Sequence, residues 1–190
     1  MKKIVILFIS AINIMLNAQE NGQILSSAEK FSKCPAKIIK SLIIYDERFS
    51  SILEDQANLS LIQFSEYSGK DTIYGLKFHG DVIIASGQDI TIRKKYCVIL
   101  DYDELEKIII WIDLVKSNLF DKASSDKRQV SYISKKSNLL LRYYNNRFEV
   151  QYDKFDENSI SSLGRNQLDN LYDKLNDIKK LWPKAYQQNN

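Results

Sequence analysis

His79 is the only histidine in this chain of 190 residues, and only two cysteines, Cys34 and Cys97, accompany it. One imidazole cannot supply most zinc sites, and a Ser-His-Asp arrangement would need partners that no motif marks. The sequence also has no GxSxG elbow, no GxxxxGK[ST] phosphate loop and no GxGxxG dinucleotide fingerprint. His79 stands beside Gly80 at the end of an expected hairpin arm and reads as a turn or strand-end histidine. With catalytic groups this sparse, no enzyme, no cofactor and no metal centre is expected.

No apolar run is a good membrane span. The stretch from Ile4 to Leu16 is interrupted by Ser10 and Asn13 and falls short of the roughly 20 apolar residues a span requires. Lys2 and Lys3 precede it and Ala18 follows, the pattern of a secretory signal peptide over residues 1–18, cut before Gln19. No cysteine stands at the cut to carry a lipid. The expectation is an exported protein, periplasmic or secreted, with no stable membrane span after cleavage. Losing Lys2 and Lys3 takes the 27 basic residues to 25 against 24 acidic ones, a balance of +1. A near-neutral mixed surface offers no electrostatic footprint for nucleic acid. In an oxidising compartment Cys34 and Cys97 are candidates for a disulfide worth about 4 kcal/mol in the chain-entropy model; two separate buried thiols are the other reading.

What the sequence does have is a strand running into a strong helix, Tyr96 to Leu119. Tyr96, Val98 and Leu100 alternate with Cys97 and Ile99, so both faces are apolar, as in a central strand covered on each side. Asp101 with Glu104, and Asp103 with Glu106, have capping-box spacing. Leu105, Ile108, Ile109, Ile112, Val115 and Leu119 then form one helical stripe, with Ile110 and Leu114 on the opposite side and Trp111 between the two. Either another segment such as Ile38–Tyr45 covers Ile110 and Leu114, or they bind a partner or a second copy. The junction from Leu100 to Leu105, with the strand before it and the helix after it, resembles small bacterial proteins of uncharacterised function that carry a similar strand-to-helix acidic junction. The resemblance covers about twenty residues and implies no activity.

Along the chain, residues 19–33 read as a flexible leader, 34–183 as a single α+β domain and 184–190 as a disordered tail. Ile38–Tyr45 is apolar but too short to assign by period. Leu59–Tyr67 and Thr72–His79 flank a Gly-containing turn, and Val82–Ala85 and Ile90–Ile92 flank another. Val130–Ser134, Leu139–Tyr144 and Arg147–Asp153 form a meander with Asn145 and Asn146 at a tight turn. Phe148, Val150 and Tyr152 face one way there. A polar loop over residues 154–166 leads to a last helix, Gln167–Trp182, stopped by Pro183. The order of elements predicts an α+β fold, an antiparallel sheet with two long helices on one face. Offset by 63 residues, Leu105, Ile108, Ile112 and Val115 fall on Leu168, Leu171, Leu175 and Ile178. That overlay reads either as two strand-strand-helix units or as two unrelated amphipathic helices matched on their stripes.

Eleven tyrosines are the unusual abundance, and Tyr132, Tyr143, Tyr144 and Tyr152 fall on the second meander. An outward row would suit peptide or sugar; a strand-packing role is the alternative, and consecutive Tyr143 and Tyr144 must face opposite sides. Two acidic clusters, Asp101/Asp103/Glu104 and Asp153/Asp156/Glu157, have the oxygen chemistry of a Ca²⁺ site, though capping and loop solvation explain them more simply. Three functional classes follow. First is an exported non-catalytic binding or interaction protein, partnered by another protein or by itself through Ile110, Trp111 and Leu114 or through Tyr143 and Tyr144. Second is a carrier of a small apolar ligand, and third a carboxylate-dependent hydrolase.

Overall fold

The computed structural model describes residues 25–50, 56–86, 90–119 and 129–186. The expected signal peptide lies outside them. Alternating sequence becomes eight strands in two antiparallel sheets. The first contains β1 (Ile39–Arg48), β2 (Gln56–Glu66), β3 (Thr72–Ser86) and β4 (Thr91–Leu100), in that spatial order. The second contains β5 (Gln129–Ile133), β6 (Leu140–Tyr144), β7 (Arg147–Gln151) and β8 (Ile160–Gly164), again in chain order. A short helix, α1 (Ser27–Ser32), precedes the first sheet; α2 (Tyr102–Leu119) follows it, and α3 (Arg165–Leu181) follows the second.

The α+β class is therefore as expected, with one correction: there are two sheets, not one. Consecutive hairpins pair β5 to β8 among themselves, and α2 carries the chain away from β4, so β5 does not extend the first sheet. Each sheet of four strands ends in a long helix. The four residues matched at the 63-residue offset are fully buried in both helices, and one core takes in side chains of both sheets, α2 and α3. Trp111 on α2 lies 6.4 Å, ring to ring, from Phe148 on β7, and Tyr96 on β4 stacks on Tyr152 after β7 at 6.3 Å.

Several local expectations change. From Ile39 on, the stretch Ile38–Tyr45 belongs to a strand. Val82–Ala85 is no separate strand but the continuation of the fifteen-residue β3. β4 is an edge strand, yet its last three residues are covered on both faces: Val98 and Leu100 enter the main core, and Ile99 packs with Ala28, Ile62 and Phe64 beneath α1. The leader is ordered by its end, because α1 buries Ala28 against that second face. Gly75 makes room for it, since a Cβ there would lie 2.7 Å from Ile99 Cγ2 and 2.9 Å from Ala28 Cβ. The polar stretch before the last helix contains β8, whose two serines hid it from a hydrophobicity reading; Ser161 is buried. The expected tail begins with a 3-10 turn, Lys184–Tyr186, whose Tyr186 ring sits 4.8 Å from Tyr74. Asn145 and Asn146 both take positive φ, 48° and 60°, which the tight β6–β7 turn requires.

Candidate binding surfaces

The stripe expected on α2 is buried throughout, while Ile110 and Leu114 on its other side are 59% and 56% exposed. No segment among the described residues covers them: Ile39–Tyr45 is the first part of β1 and is itself largely exposed. Trp111 does not belong to that surface. It is buried against Phe148, because the second sheet widens the apolar face that α2 must fill. Tyr143 is likewise core, on the inner face of β6, with its hydroxyl donating to Asn146 Oδ1 at 3.2 Å. Tyr144 faces the other way and donates to Glu149 Oε1 at 2.6 Å. The tyrosines of the second meander thus divide between core and outer face, and no outward row forms. Cys34 and Cys97 are free thiols.

At the strand-to-helix junction the carboxylates serve tertiary contacts instead of the expected capping boxes. Buried Asp101 accepts from the first amides of α1, Ser27 N at 2.9 Å and Ala28 N at 3.0 Å. Asp103 pairs with Lys107 at 2.6 Å and Lys136 at 3.0 Å, and these cations hold its carboxyl below the usual aspartate range although partial burial opposes them. Glu106 pairs with Lys179 of α3 at 2.9 Å. Glu104 is 1% exposed, and its Oε1 accepts from Ser134 Oγ and, at 3.4 Å, from the Tyr132 hydroxyl. Its Oε2 is buried without a hydrogen bond. Burial pushes the Glu104 carboxyl up, and Asp103 and Asp101 add to that while Ser134 opposes it. In the second acidic cluster, Asp156 caps a 3-10 turn and accepts from Tyr96 OH at 2.9 Å. Among the described residues no three metal-ligating side chains converge.

His79 lies within β3, not at its end, on the face of the first sheet away from the main core, with Cys97 opposite on β4 and Asn58 opposite on β2. Its Nε2 is 3.2 Å from Ser60 Oγ and 3.4 Å from Asp46 Oδ1, and Ser60 Oγ donates to that same Asp46 oxygen at 2.5 Å. This is not a hydrolytic triad, which needs the carboxylate and the hydroxyl on different ring nitrogens. Burial, aided by Lys77, lowers the His79 pKa below its ordinary 6.5, and the imidazole is neutral at pH 7.

The four sheet edges differ. β4 carries consecutive cations, Arg93, Lys94 and Lys95, while β5 and β8 are five residues long. Charge and shortness both discourage edge pairing. β1 is not short, and its charges, Lys40 and Asp46 to Arg48, flank an uncharged middle: it runs ten residues with Leu42, Ile43 and Ile44 exposed at its centre and Ile38 exposed just before it. That edge is missing from a search for amphipathic patterns, because exposed aliphatics in a strand look like core until the pairing order is known.

The chain matches no protein-family model and no curated protein. No helix among the described residues is long and apolar enough to cross a membrane.

Proposed function

We propose that this is an exported, non-catalytic interaction module that assembles edge to edge with a second copy through β1. The observation that carries the reading is the long aliphatic edge of the first sheet beside three edges that are charged or short. An open edge presents unpaired backbone groups, and strand addition satisfies them while burying the side chains on either face. The charges of β1 favour its own copy. Lys40 stands before the aliphatic centre, and Asp46, Glu47 and Arg48 after it make a net acidic end. An antiparallel pair overlapping at Leu42–Ile44 sets each Lys40 against the acidic end of the other strand, whereas a parallel pair sets like against like. A bulge between Ile43 and Tyr45 bends the strand but leaves its aliphatics outside.

Sedimentation of the purified protein tests this. The wild type is expected as a dimer and Ile43→Lys as a monomer with an unchanged melting temperature, since Ile43 contributes little to the core. Lys40→Glu should weaken the dimer and Lys40→Glu with Glu47→Lys should restore it. A monomeric wild type, or a dimer indifferent to Ile43→Lys, overturns the proposal. Export is tested by the N-terminus of the protein recovered outside the cytoplasm, expected at Gln19.

A further inference from the structure

An aromatic pocket of 230 Å³ opens where α1, β3, the start of α2 and the chain after α3 meet, lined by Phe31, Tyr74, Tyr102, Trp182 and Tyr186 together with Asp101. Two pairs of its rings meet at steep angles: Tyr74 and Tyr186 at 59° with centroids 4.8 Å apart, Tyr102 and Trp182 at 61° and 5.3 Å. The Tyr74 hydroxyl is bound to Gln63 at 3.1 Å and the Tyr102 hydroxyl to Glu106 at 3.3 Å, so both rings have their polar ends engaged outside the pocket residues.

The charges around the pocket distinguish its ligand. Lys37 lies 5.3 Å from the Phe31 centroid but is neutralised by Asp71 at 2.5 Å and Glu66 at 3.5 Å. Glu106 is neutralised by Lys179 at 2.9 Å. Asp101 is different. It is buried, its oxygens accept two backbone amides, and no lysine or arginine forms an ion pair with it among the described residues. Amide donors make a buried carboxylate tolerable without cancelling its charge. Aromatic faces attract cations within about 6 Å of their centroids, most strongly where water is excluded. A neutral apolar guest would use the rings alone; an organic cation would also be drawn by the charge that Asp101 keeps while it holds α1.

We propose that this pocket binds a small alkylated ammonium group, with the aromatic rings as its walls and Asp101 as its counter-charge. The proposal does not depend on assembly through β1. The volume suits a trimethylammonium head with a short tail. Choline and 3,3-dimethylbutan-1-ol, which has the same shape without the charge, form the deciding pair of probes, followed by NMR shifts or tryptophan fluorescence.

Choline is expected to bind at least tenfold more tightly than the alcohol, with shifts confined to the residues named. Tyr186→Ser, in the terminal turn, should weaken choline binding at least several-fold without altering the fold. Asp101→Asn should remove the preference for choline over the alcohol, and because it also touches α1, hydrogen exchange over α1 verifies that the helix is retained. If it is released, Tyr74→Leu, which removes a ring at a half-buried position, takes its place and should also weaken choline. Vesicles of phosphatidylcholine distinguish a lipid headgroup from a free cation, and binding of either with these dependences supports the pocket. Equal affinity for choline and the alcohol, no binding of choline, or binding indifferent to Tyr186→Ser overturns it.

Discussion

The strands of the first sheet are ten to fifteen residues long and those of the second are five, and this difference sets where the molecule can meet others. The two central short strands are finished on both faces. In β6 and β7 the inner residues Leu141, Tyr143, Phe148 and Val150 are core, while Arg142 engages Glu149 and Gln151 on the other face. Long strands outrun what covers them. Among the described residues β2 pairs with β3 as far as Asp81, and the β3–β4 hairpin continues beyond it to exposed Ile84 and Ile92. α1 shields the part of the second face around Ile62, Phe64 and Ile99 and leaves the remainder around His79 polar and open. The same plan of four strands and a helix thus yields one half with short edges and one half with a long aliphatic edge and strands that run past their cover.

The largest effects should appear where the halves are alike. Ile108 and Leu171 are fully buried at matched places on α2 and α3, so Ile108→Ala and Leu171→Ala should each cost about 2–5 kcal/mol in denaturant melts. Values within about 1 kcal/mol of each other would support equivalent roles, and a large difference would break the comparison. Next comes the cover that only the first sheet has. Asp101→Ala removes the acceptor for two amides of α1 and should cost about 2–3 kcal/mol, the range for bonds to charged groups. Hydrogen exchange should rise over residues 27–32 and stay unchanged in β6 and β7. An equal rise throughout would mean that α1 is no separable lid.

The helices were legible because both carry an uninterrupted stripe, and so was the β6–β7 turn, where two asparagines meet a need for positive φ. So were the β2–β3 hairpin and the β6–β7 pairing, but the place of β4 at an edge was not. Tyr96 to Leu100 has the composition of a central strand because α1 covers Ile99 from a distance of some seventy residues, and local sequence carries no trace of that contact. β8 escaped for the opposite reason: Ser161 is buried in a strand too short for its apolar residues to show alternation. The acidic junction has the spacing of a cap, yet Asp101 and Glu104 serve α1 and the chain around Ser134. Spacing identifies what a side chain could do locally; tertiary contacts with stronger donors decide what it does. The aromatic pocket brings Phe31, Tyr74, Tyr102 and Tyr186 together from four separate segments, beyond the reach of any window along the sequence.

Glu104 joins the halves and should reveal itself through pH. Its carboxyl is raised above the ordinary value of 4.5, chiefly by burial. From that value up to the raised one, the folded protein holds a proton that the unfolded chain has released. Stability attributable to Glu104 therefore falls as pH rises through this window and stays lower above it. Glu104→Gln keeps the Oε1 acceptor for Ser134 and Tyr132 and removes the charge. It should raise stability by about 1 kcal/mol at neutral pH and flatten the loss between mildly acidic and neutral conditions, with little difference in strong acid. Thermal melts across that range decide it, and a Gln variant that is less stable at neutral pH would show that the charge is compensated in the fold.

The smallest effect is expected on the outer side of α2. Ile110 and Leu114 are each more than half exposed, so replacing them with serine removes little buried area and leaves the stripe through Ile108 and Ile112 intact. Serine is also only slightly poorer than leucine or isoleucine as a helix former. The double variant should therefore melt within about 1 kcal/mol of the wild type, the range for surface substitutions at two sites. The same two substitutions also separate α2 from β1 as places of assembly. If the dimer forms through β1, the double serine variant sediments as the wild type does while Ile43→Lys does not. A double variant that loses the dimer and keeps its melting temperature would move the interface onto α2; one that unfolds would mean that these side chains are covered in solution.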